Sequence, residues 1–195
     1  RASDWSSDVC SSDLSKSSIP VRVVAIGDGA VGKTSMLLVF KGDPFPEDYE
    51  PSIFENHHEM RTFQGKTYCL HLWDTSGQEE YDRLRPMSYA KCDVVLICFS
   101  LDNKESLKNV IDKWKLEIVE YCPKAAIVLV GTKMDLWNPK SEGAITQAEI
   151  DDVAKQIKAF KSINCSAKNN TNIGNVFDLA ITAALSKNGG NCTIA

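Results

Sequence analysis

The motif Gly27-Asp28-Gly29-Ala30-Val31-Gly32-Lys33-Thr34 indicates the fold class of this chain of 195 residues. It matches the pattern GxxxxGK[ST] at every fixed position, and it lies between an apolar run at 21–26 and a helical pattern from 33 to about 40. Its glycines allow successive backbone N–H groups to face phosphate oxygens, and the N-terminus of the following helix adds positive potential. In such a loop the lysine reaches the β- and γ-phosphates and the threonine hydroxyl binds Mg²⁺. The stretch therefore predicts a P-loop that binds a nucleotide.

The remainder of the chain alternates apolar runs with helical patterns, which predicts an α/β fold with a parallel sheet. Two runs, 93–100 and 125–130, are continuously apolar and predict central strands covered on both faces. Thr146 and Glu149 have the spacing of a capping box that opens a helix. Further predictions are a strand at 68–73, a short strand before 165, and helices at 104–121, 147–160 and 173–185.

The composition is that of a single globular domain, with 43% hydrophobic and 25% charged residues. No apolar run approaches the length of a transmembrane helix. The net charge is −4, from 22 basic and 26 acidic residues, so we expect no nucleic-acid partner. Seven cysteines without a CxxC pair argue against a disulfide framework or a zinc site and predict reduced thiols in a cytosolic protein.

The first 18 residues differ in composition from the rest and repeat Ser-Asp three times. They resemble translated sequencing adapter, and the alternative is a flexible natural tail. We therefore expect a non-native or disordered leader at 1–18, a nucleotide-binding domain at 19–187 and a flexible C-terminal tail at 188–195.

The segment Gly131-Thr132-Lys133-Met134-Asp135 indicates which base is bound. The carboxylate of Asp135 can accept hydrogen bonds from both N1–H and the 2-amino group of guanine, whereas against adenine a buried carboxylate would stay unpaired. Two hydrogen bonds to a charged group contribute about 3–6 kcal/mol. The aliphatic part of Lys133 can lie along one face of the base. The segment predicts a preference for guanine.

Two further segments complete the predicted site. In Asp74-Thr75-Ser76-Gly77-Gln78-Glu79, Asp74 can hold a water bound to Mg²⁺, Gly77 can donate its N–H to a γ-phosphate, and Gln78 can orient the attacking water. The segment Cys165-Ser166-Ala167-Lys168 can present backbone N–H groups to the guanine O6.

From about residue 19 to the C-terminus the chain resembles a Ras-superfamily small GTPase, and specifically a member of the Rho family. The stretches that carry the resemblance are 27–34, Leu72-Trp73-Asp74-Thr75, the run YDRLRPMSY at 81–89, Tyr121-Cys122-Pro123 and the terminal tetrapeptide at Cys192. The resemblance implies a three-layer P-loop fold with a mostly parallel six-stranded sheet. It also implies a switch that hydrolyses GTP slowly to GDP, is stimulated by an activating protein and acts in actin and polarity signalling.

The resemblance also implies roles for individual residues. Phe45 would pack against the guanine, Tyr49 would close over the phosphates, and Ser52 would bind Mg²⁺ with Thr34 and, through water, Asp74. Gln78 would be the catalytic residue, and Arg83 and Leu84 would lie in switch II, where exchange factors and effectors bind. The implied nucleotide-binding set is Asp28, Gly29, Ala30, Val31, Gly32, Lys33, Thr34, Ser35, Phe45, Tyr49, Pro51, Ser52, Asp74, Gly77, Thr132, Lys133, Asp135, Leu136, Ser166, Ala167 and Lys168.

The C-terminus has the form of a prenylation motif, Cys192-Thr193-Ile194-Ala195, in which the terminal alanine favours farnesyl. Only one lysine lies at 186–191, so a second membrane signal is weak. We expect a monomer shared between the cytosol and the cytoplasmic face of membranes. Its implied partners are guanine-nucleotide exchange factors, GTPase-activating proteins, a dissociation inhibitor and effectors.

The chain departs from the family pattern at a few positions. Ser52 replaces the usual threonine, Ser76 replaces alanine, and the stretch 137–145 is shorter than the usual insert region. His57 and His58 are also atypical, and we interpret them as surface residues. The alternatives are a hydrolysis-deficient GTP-bound interaction module and a P-loop kinase. A kinase would need an arginine-rich lid, but only Arg61, Arg83 and Arg85 follow the P-loop.

Overall fold

A computed structural model describes residues 18–47 and 54–188 as a mostly parallel sheet of six strands in the order β2-β3-β1-β4-β5-β6. Every neighbouring pair is parallel except β2 and β3, which form an antiparallel hairpin. This confirms the predicted fold class. The strands are β1 (Ile19–Ile26), β2 (Phe54–Phe63), β3 (Lys66–Thr75), β4 (Val94–Ser100), β5 (Ala126–Thr132) and β6 (Lys161–Asn164).

Helices cover both faces of this sheet and make two hydrophobic cores. On one face α1 and α5 pack on the sheet through residues such as Met36 and Phe177. On the other face the remaining helices contribute Trp114 and Ile150. All seven residues of β4 are buried, as its continuous apolar sequence predicts. The helices are α1 (Lys33–Lys41), α2 (Lys104–Asn109), α3 (Lys115–Tyr121), α4 (Gln147–Gln156) and α5 (Ile173–Asn188), and a π turn at Val110–Trp114 joins α2 to α3.

Two of the helix predictions need correction. The run 104–121 is interrupted by the π turn, which a 3.6-residue apolar period cannot reveal. The helix predicted at 147–160 ends at Gln156. There Lys158 adopts a φ of 56°, and the N–H of Phe160 donates to Ile127 O, which directs the chain into β6.

The sequence analysis missed β2 as an individual strand. Its residues alternate irregularly between polar and apolar types, because β2 lies at the edge of the sheet and only one side of it is covered. The signal was present at Gln64-Gly65, a two-residue turn in which both residues have positive φ, as hairpins require. On β2, His58 is exposed, and His57 is half-buried with its Nε2 3.0 Å from Glu55 Oε2.

The described cysteines form no disulfide. Three of them, Cys98, Cys122 and Cys165, are buried. Among the described residues, no helix has the length and apolar character needed to cross a membrane.

Candidate functional site

The predicted motifs meet along the side of the sheet where the parallel strands have their carboxyl ends. Each follows a parallel strand: the P-loop follows β1, the segment from Asp74 ends β3, Lys133–Asp135 follows β5, and Cys165–Lys168 follows β6. Because the carboxyl ends of parallel strands lie at the same edge, residues far apart in sequence come together there. The structure thus assembles a single site from four segments.

The P-loop holds Lys33 in its interior. The buried Nζ of Lys33 donates to Gly27 O at 2.8 Å and to Asp28 O at 2.7 Å. Burial lowers the pKa of Lys33, and the nearby Asp74 carboxylate acts in the opposite direction. The ammonium group therefore lies within a loop whose N–H groups and helix N-terminus favour an anion.

The hydroxyl of Thr34 donates to Asp74 Oδ2 at 2.7 Å, which joins the start of α1 to the end of β3. A hydroxyl and a carboxylate are oxygen donors of the kind that Mg²⁺ prefers. The two residues therefore fit the predicted metal site. The third predicted ligand, Ser52, lies outside the described residues.

A cleft of about 270 Å³ lies beside the P-loop where the guanine base is predicted. Residues from all the predicted base-binding segments line it: Gly32, Ser35, Phe45, Thr132, Lys133, Asp135, Leu136, Ala167 and Lys168. Met36 and Cys165 also line it, and the sequence analysis assigned neither side chain a contact with the base. Both belong to the hydrophobic core, so nothing in their local sequence distinguishes them from other core residues.

Asp135 is held in place by Ser166, whose buried hydroxyl donates to Asp135 Oδ1 at 2.5 Å. Asp135 is exposed at the cleft, where its carboxylate is accessible to a base. The backbone N–H of Ser166 donates to Thr171 O, so the N–H groups that can face a base are those of Ala167 and Lys168. Ser166 contributes through its side chain.

Thr132 connects the base cleft to the P-loop. Its buried hydroxyl lies 2.5 Å from Val31 O and 2.8 Å from Phe99 O. Thr132 therefore fixes the distance between the end of β5 and the P-loop, a role that the sequence motif alone does not show.

Gly77 packs directly against the P-loop. A Cβ built on Gly77 would lie 2.2 Å from Gly27 O, 2.3 Å from the Asp28 carbonyl carbon and 2.5 Å from Gly29 N. Only glycine allows this approach. A Cβ built on Gly29 would lie 3.8 Å from Gln78 Cγ, so the side chain of Gln78 adjoins the P-loop.

Arg85 is the main residue of this region that the sequence analysis missed. It is fully buried, and its guanidinium donates to Ser76 O at 2.9 Å, to Gln78 O at 3.2 Å and to Glu117 Oε2 at 2.8 Å. Its Cζ lies 4.8 Å from the centre of the Trp114 ring. The tertiary structure alone distinguishes it from exposed Arg83.

Among the described residues, no group of arginines covers the cleft as the lid of a P-loop kinase would. Arg61 makes a bidentate ion pair with Asp178, Arg85 is buried as above, and Arg83 is exposed. Residues 137–145 form turns without a helix, and Trp137 Nε1 donates to Ile145 O across them. The predictions for Tyr49, Pro51, Ser52 and Cys192 fall outside the described residues and stay predictions.

One comparison with known proteins bears on this site. The model of the Ras family matches residues 22–186 of the chain, which include the P-loop and every described segment of the cleft.

Proposed function

The chain belongs to the Ras family, and from that premise we propose that it is a Rho-type member whose hydrolysis of GTP is controlled by partner proteins. Membership of the family makes it a GTP-binding switch with GTPase activity. The Rho-type identity rests on the sequence resemblance at 27–34, 72–75 and 81–89. The observation that carries the site assignment is the cleft that extends from Gly32 of the P-loop to Asp135, with Gly77 packed against the same loop.

Each part of the nucleotide has a matching group in this arrangement. Asp135, oriented by Ser166, accepts from the guanine, and the aliphatic part of Lys133 lines the same cleft. Lys33 and the P-loop N–H groups bind the phosphates. Thr34 and Asp74 would hold Mg²⁺, which when bound neutralises charge that develops on the β- and γ-phosphate oxygens. Gln78 orients the water for in-line attack on the γ-phosphorus, and GDP and phosphate leave.

Slow hydrolysis follows from the placement of the arginines. A catalytic arginine stabilises the charge of the transition state and accelerates hydrolysis by about 10³–10⁵. Arg61 and Arg85 are already engaged in ion pairs, with Asp178 and Glu117 respectively. We therefore assign that role to an activating protein in trans.

Asp135→Asn tests the base assignment. The new amide donates where the carboxylate only accepted, so the preference moves from guanine toward xanthine, which has a carbonyl in place of the 2-amino group. Affinities for GDP and XDP are measured for both proteins, and the ratio shifts by at least about a hundredfold because two hydrogen bonds to a charged group are exchanged. An unchanged preference for guanine removes Asp135 from the base site.

Gln78→Leu separates the proposed switch from a hydrolysis-deficient interaction module. In the switch, single-turnover phosphate release slows by about a hundredfold because a positioned proton acceptor or water-orienting group is lost, while GDP affinity is unchanged. Equal rates in the wild-type protein and the variant, with and without an activating protein, would show that Gln78 does not act on the water.

Exposed apolar residues that follow Gln78 in the sequence support binding of partners at switch II. Leu84 is 48% and Met87 is 74% exposed. Such side chains serve as anchors in protein interfaces. We assign this surface to effectors and exchange factors. Pull-down with protein loaded with a GTP analogue, compared with GDP-loaded protein and with Leu84→Ala, identifies the partners that depend on it.

We further propose reversible membrane attachment through a prenyl group on Cys192. A single lipid chain gives only marginal membrane binding, and the one lysine at 186–191 adds about 1 kcal/mol near an anionic surface. A dissociation inhibitor that shields the prenyl group would set the balance. Cys192→Ser makes the protein wholly soluble on fractionation, and lysines added before Cys192 shift it to membranes. A serine variant with the wild-type distribution contradicts the proposal.

A further inference from the structure

Asp28 of the P-loop is bound from outside the nucleotide site by two residues of the helical segment 104–121. Trp114 Nε1 donates to Asp28 Oδ1 at 2.7 Å, and Asn109 Nδ2 donates to Asp28 Oδ2 at 2.8 Å. Both carboxylate oxygens are therefore occupied by side chains more than 80 residues away in the sequence. The side chain of Asp28 thus joins the P-loop to this helical segment.

The π turn at Val110–Trp114 makes this double contact possible. Residues five apart lie about 140° apart around a regular α-helix of 3.6 residues per turn, so they cannot both face one carboxylate. In a π turn the backbone hydrogen bonds join residues five apart, which brings such residues close to one face. Asn109 directly precedes this turn and Trp114, five positions further on, is its last residue. The departure from α-helical geometry therefore has a specific consequence at the P-loop.

Lys33 and Gly77 both contact the peptide group that follows Asp28 in the P-loop. Its carbonyl oxygen accepts from Lys33 Nζ at 2.7 Å, and Gly77 packs against its carbonyl carbon. A shift of this peptide would move the lysine, the glycine or both. Asp28 thus connects the helical segment to the end of the site where Gln78 adjoins Gly29.

Trp114 also contacts switch II. Its ring lies against the guanidinium of Arg85, which holds the carbonyl oxygens of Ser76 and Gln78. Glu117, one turn further along the helix, accepts from Arg85 at 2.8 Å and from the hydroxyl of Tyr89. The fully buried Trp114 side chain therefore contacts Asp28 of the P-loop and also Arg85, which binds the segment that contains Gln78.

We propose that Trp114 and Asn109 are positioning residues that fix the γ-phosphate side of the nucleotide site by holding Asp28, with Trp114 coupling the P-loop to switch II through Arg85. The proposal rests on the proposed GTPase function and adds a tie that lies outside the nucleotide-binding motifs. Neither Asn109 nor Trp114 lines the base cleft, so the proposal predicts an effect on binding of the γ-phosphate and little effect on binding of the base.

Trp114→Phe removes the indole N–H but keeps an aromatic ring beside Arg85. We expect GDP affinity to stay within about threefold of wild type and the affinity ratio of a non-hydrolysable GTP analogue to GDP to fall by about ten- to hundredfold, the range for one lost hydrogen bond to a charged group. Single-turnover hydrolysis falls by a similar factor. Asn109→Ala, at a half-buried position that leaves the core intact, lowers the same ratio in the same direction.

Trp137→Phe is the matched control. It also removes an indole N–H that donates at 2.8 Å to an oxygen, that of Ile145, but it lies outside the P-loop network. We expect its affinity ratio and hydrolysis rate to equal those of wild type. Thermal unfolding of each variant separates a loss of stability from a change at the site.

A double-mutant cycle with Asp28→Ala decides whether Trp114 acts through Asp28. In the Asp28→Ala background, Trp114→Phe should produce no further change in the affinity ratio. A full effect in that background, or a wild-type ratio in folded Trp114→Phe and Asn109→Ala, overturns the proposal. The ratio is measured without hydrolysis, so a wild-type protein that fails to hydrolyse GTP would contradict the proposed GTPase mechanism while this test still decides the role of Trp114.

Discussion

The neighbouring positions Ser76 and Gly77 differ in the space that their surroundings leave for a side chain. Ser76 is buried, and its Oγ accepts from the N–H of Gln78 at a long distance of 3.3 Å. Gly77 has no space for a side chain, because its Cα approaches the backbone of Gly27–Gly29. The first position therefore tolerates the loss of a polar atom, whereas the second does not tolerate the addition of a methyl group.

The variants Gly77→Ala and Ser76→Ala test this difference. An added Cβ at Gly77 must displace switch II from the P-loop backbone, so we expect the affinity ratio of a GTP analogue to GDP to fall by more than about tenfold, equivalent to about 1.4 kcal/mol. Ser76→Ala loses one weak hydrogen bond and should change the ratio by less than about threefold. Competition binding with labelled GDP measures both, and equal effects would show that the close contact of Gly77 is unimportant.

The helices of this protein begin and end for local reasons that are visible in the structure. At α4 the N–H of Glu149 donates to Thr146 Oγ1 at 3.2 Å, and the N–H of Thr146 donates to Glu149 Oε2 at 2.8 Å. This confirms the predicted capping box. Lys104 at the start of α2 reaches the same carboxylate at 2.7 Å, so the cap also joins two helices.

Thr146→Ala should lower the free energy of unfolding by about 1 kcal/mol, since it removes an N-cap side chain. The hydrogen bond from Lys104 and then that from the Thr146 N–H lower the pKa of Glu149 to about 2. Because this pKa is depressed from 4.5, the carboxylate contributes stability above pH 4.5 that is lost as the pH falls toward 2. Urea denaturation at several pH values measures both effects, and Glu149→Gln should flatten the dependence in that window.

At the scale of the whole molecule, the edge hairpin is fastened to the last helix. Arg61 of β2 donates from Nε and from an Nη atom to the two carboxylate oxygens of Asp178 in α5, both at 2.8 Å. The same guanidinium lies 6.0 Å from the Phe40 ring, and Phe40 stacks on Phe177. The edge strand β2 is thereby joined to α1 and α5.

A double-mutant cycle of Arg61→Ala and Asp178→Ala should give a coupling energy of about 0.5–1 kcal/mol, as expected for a partly exposed ion pair. Arg61→Lys should recover only part of it, because an ammonium group cannot make the bidentate contact. Denaturation at low and high salt provides the check. A coupling energy of zero at low salt would show that packing at Phe40 alone holds the hairpin.

Four features could be predicted from the sequence alone: the P-loop, the buried central strands, the capping box and the segments that line the base cleft. These features are local: a glycine pattern, an apolar run or a three-residue spacing has the same physical consequence in any context that places it between a strand and a helix. The edge strand β2 was not predicted, because a strand covered on one face only has a weak pattern of apolar and polar residues.

The contacts between side chains that are distant in sequence follow from the tertiary structure. It distinguished buried Arg85 from exposed Arg83, gave the Ser166 hydroxyl to Asp135, placed Met36 and Cys165 in the cleft, and bound Asp28 to Asn109 and Trp114. These contacts join residues that are adjacent in space but distant in sequence. Their energies depend on distance and burial, which follow from packing the helices on the sheet and not from any local pattern.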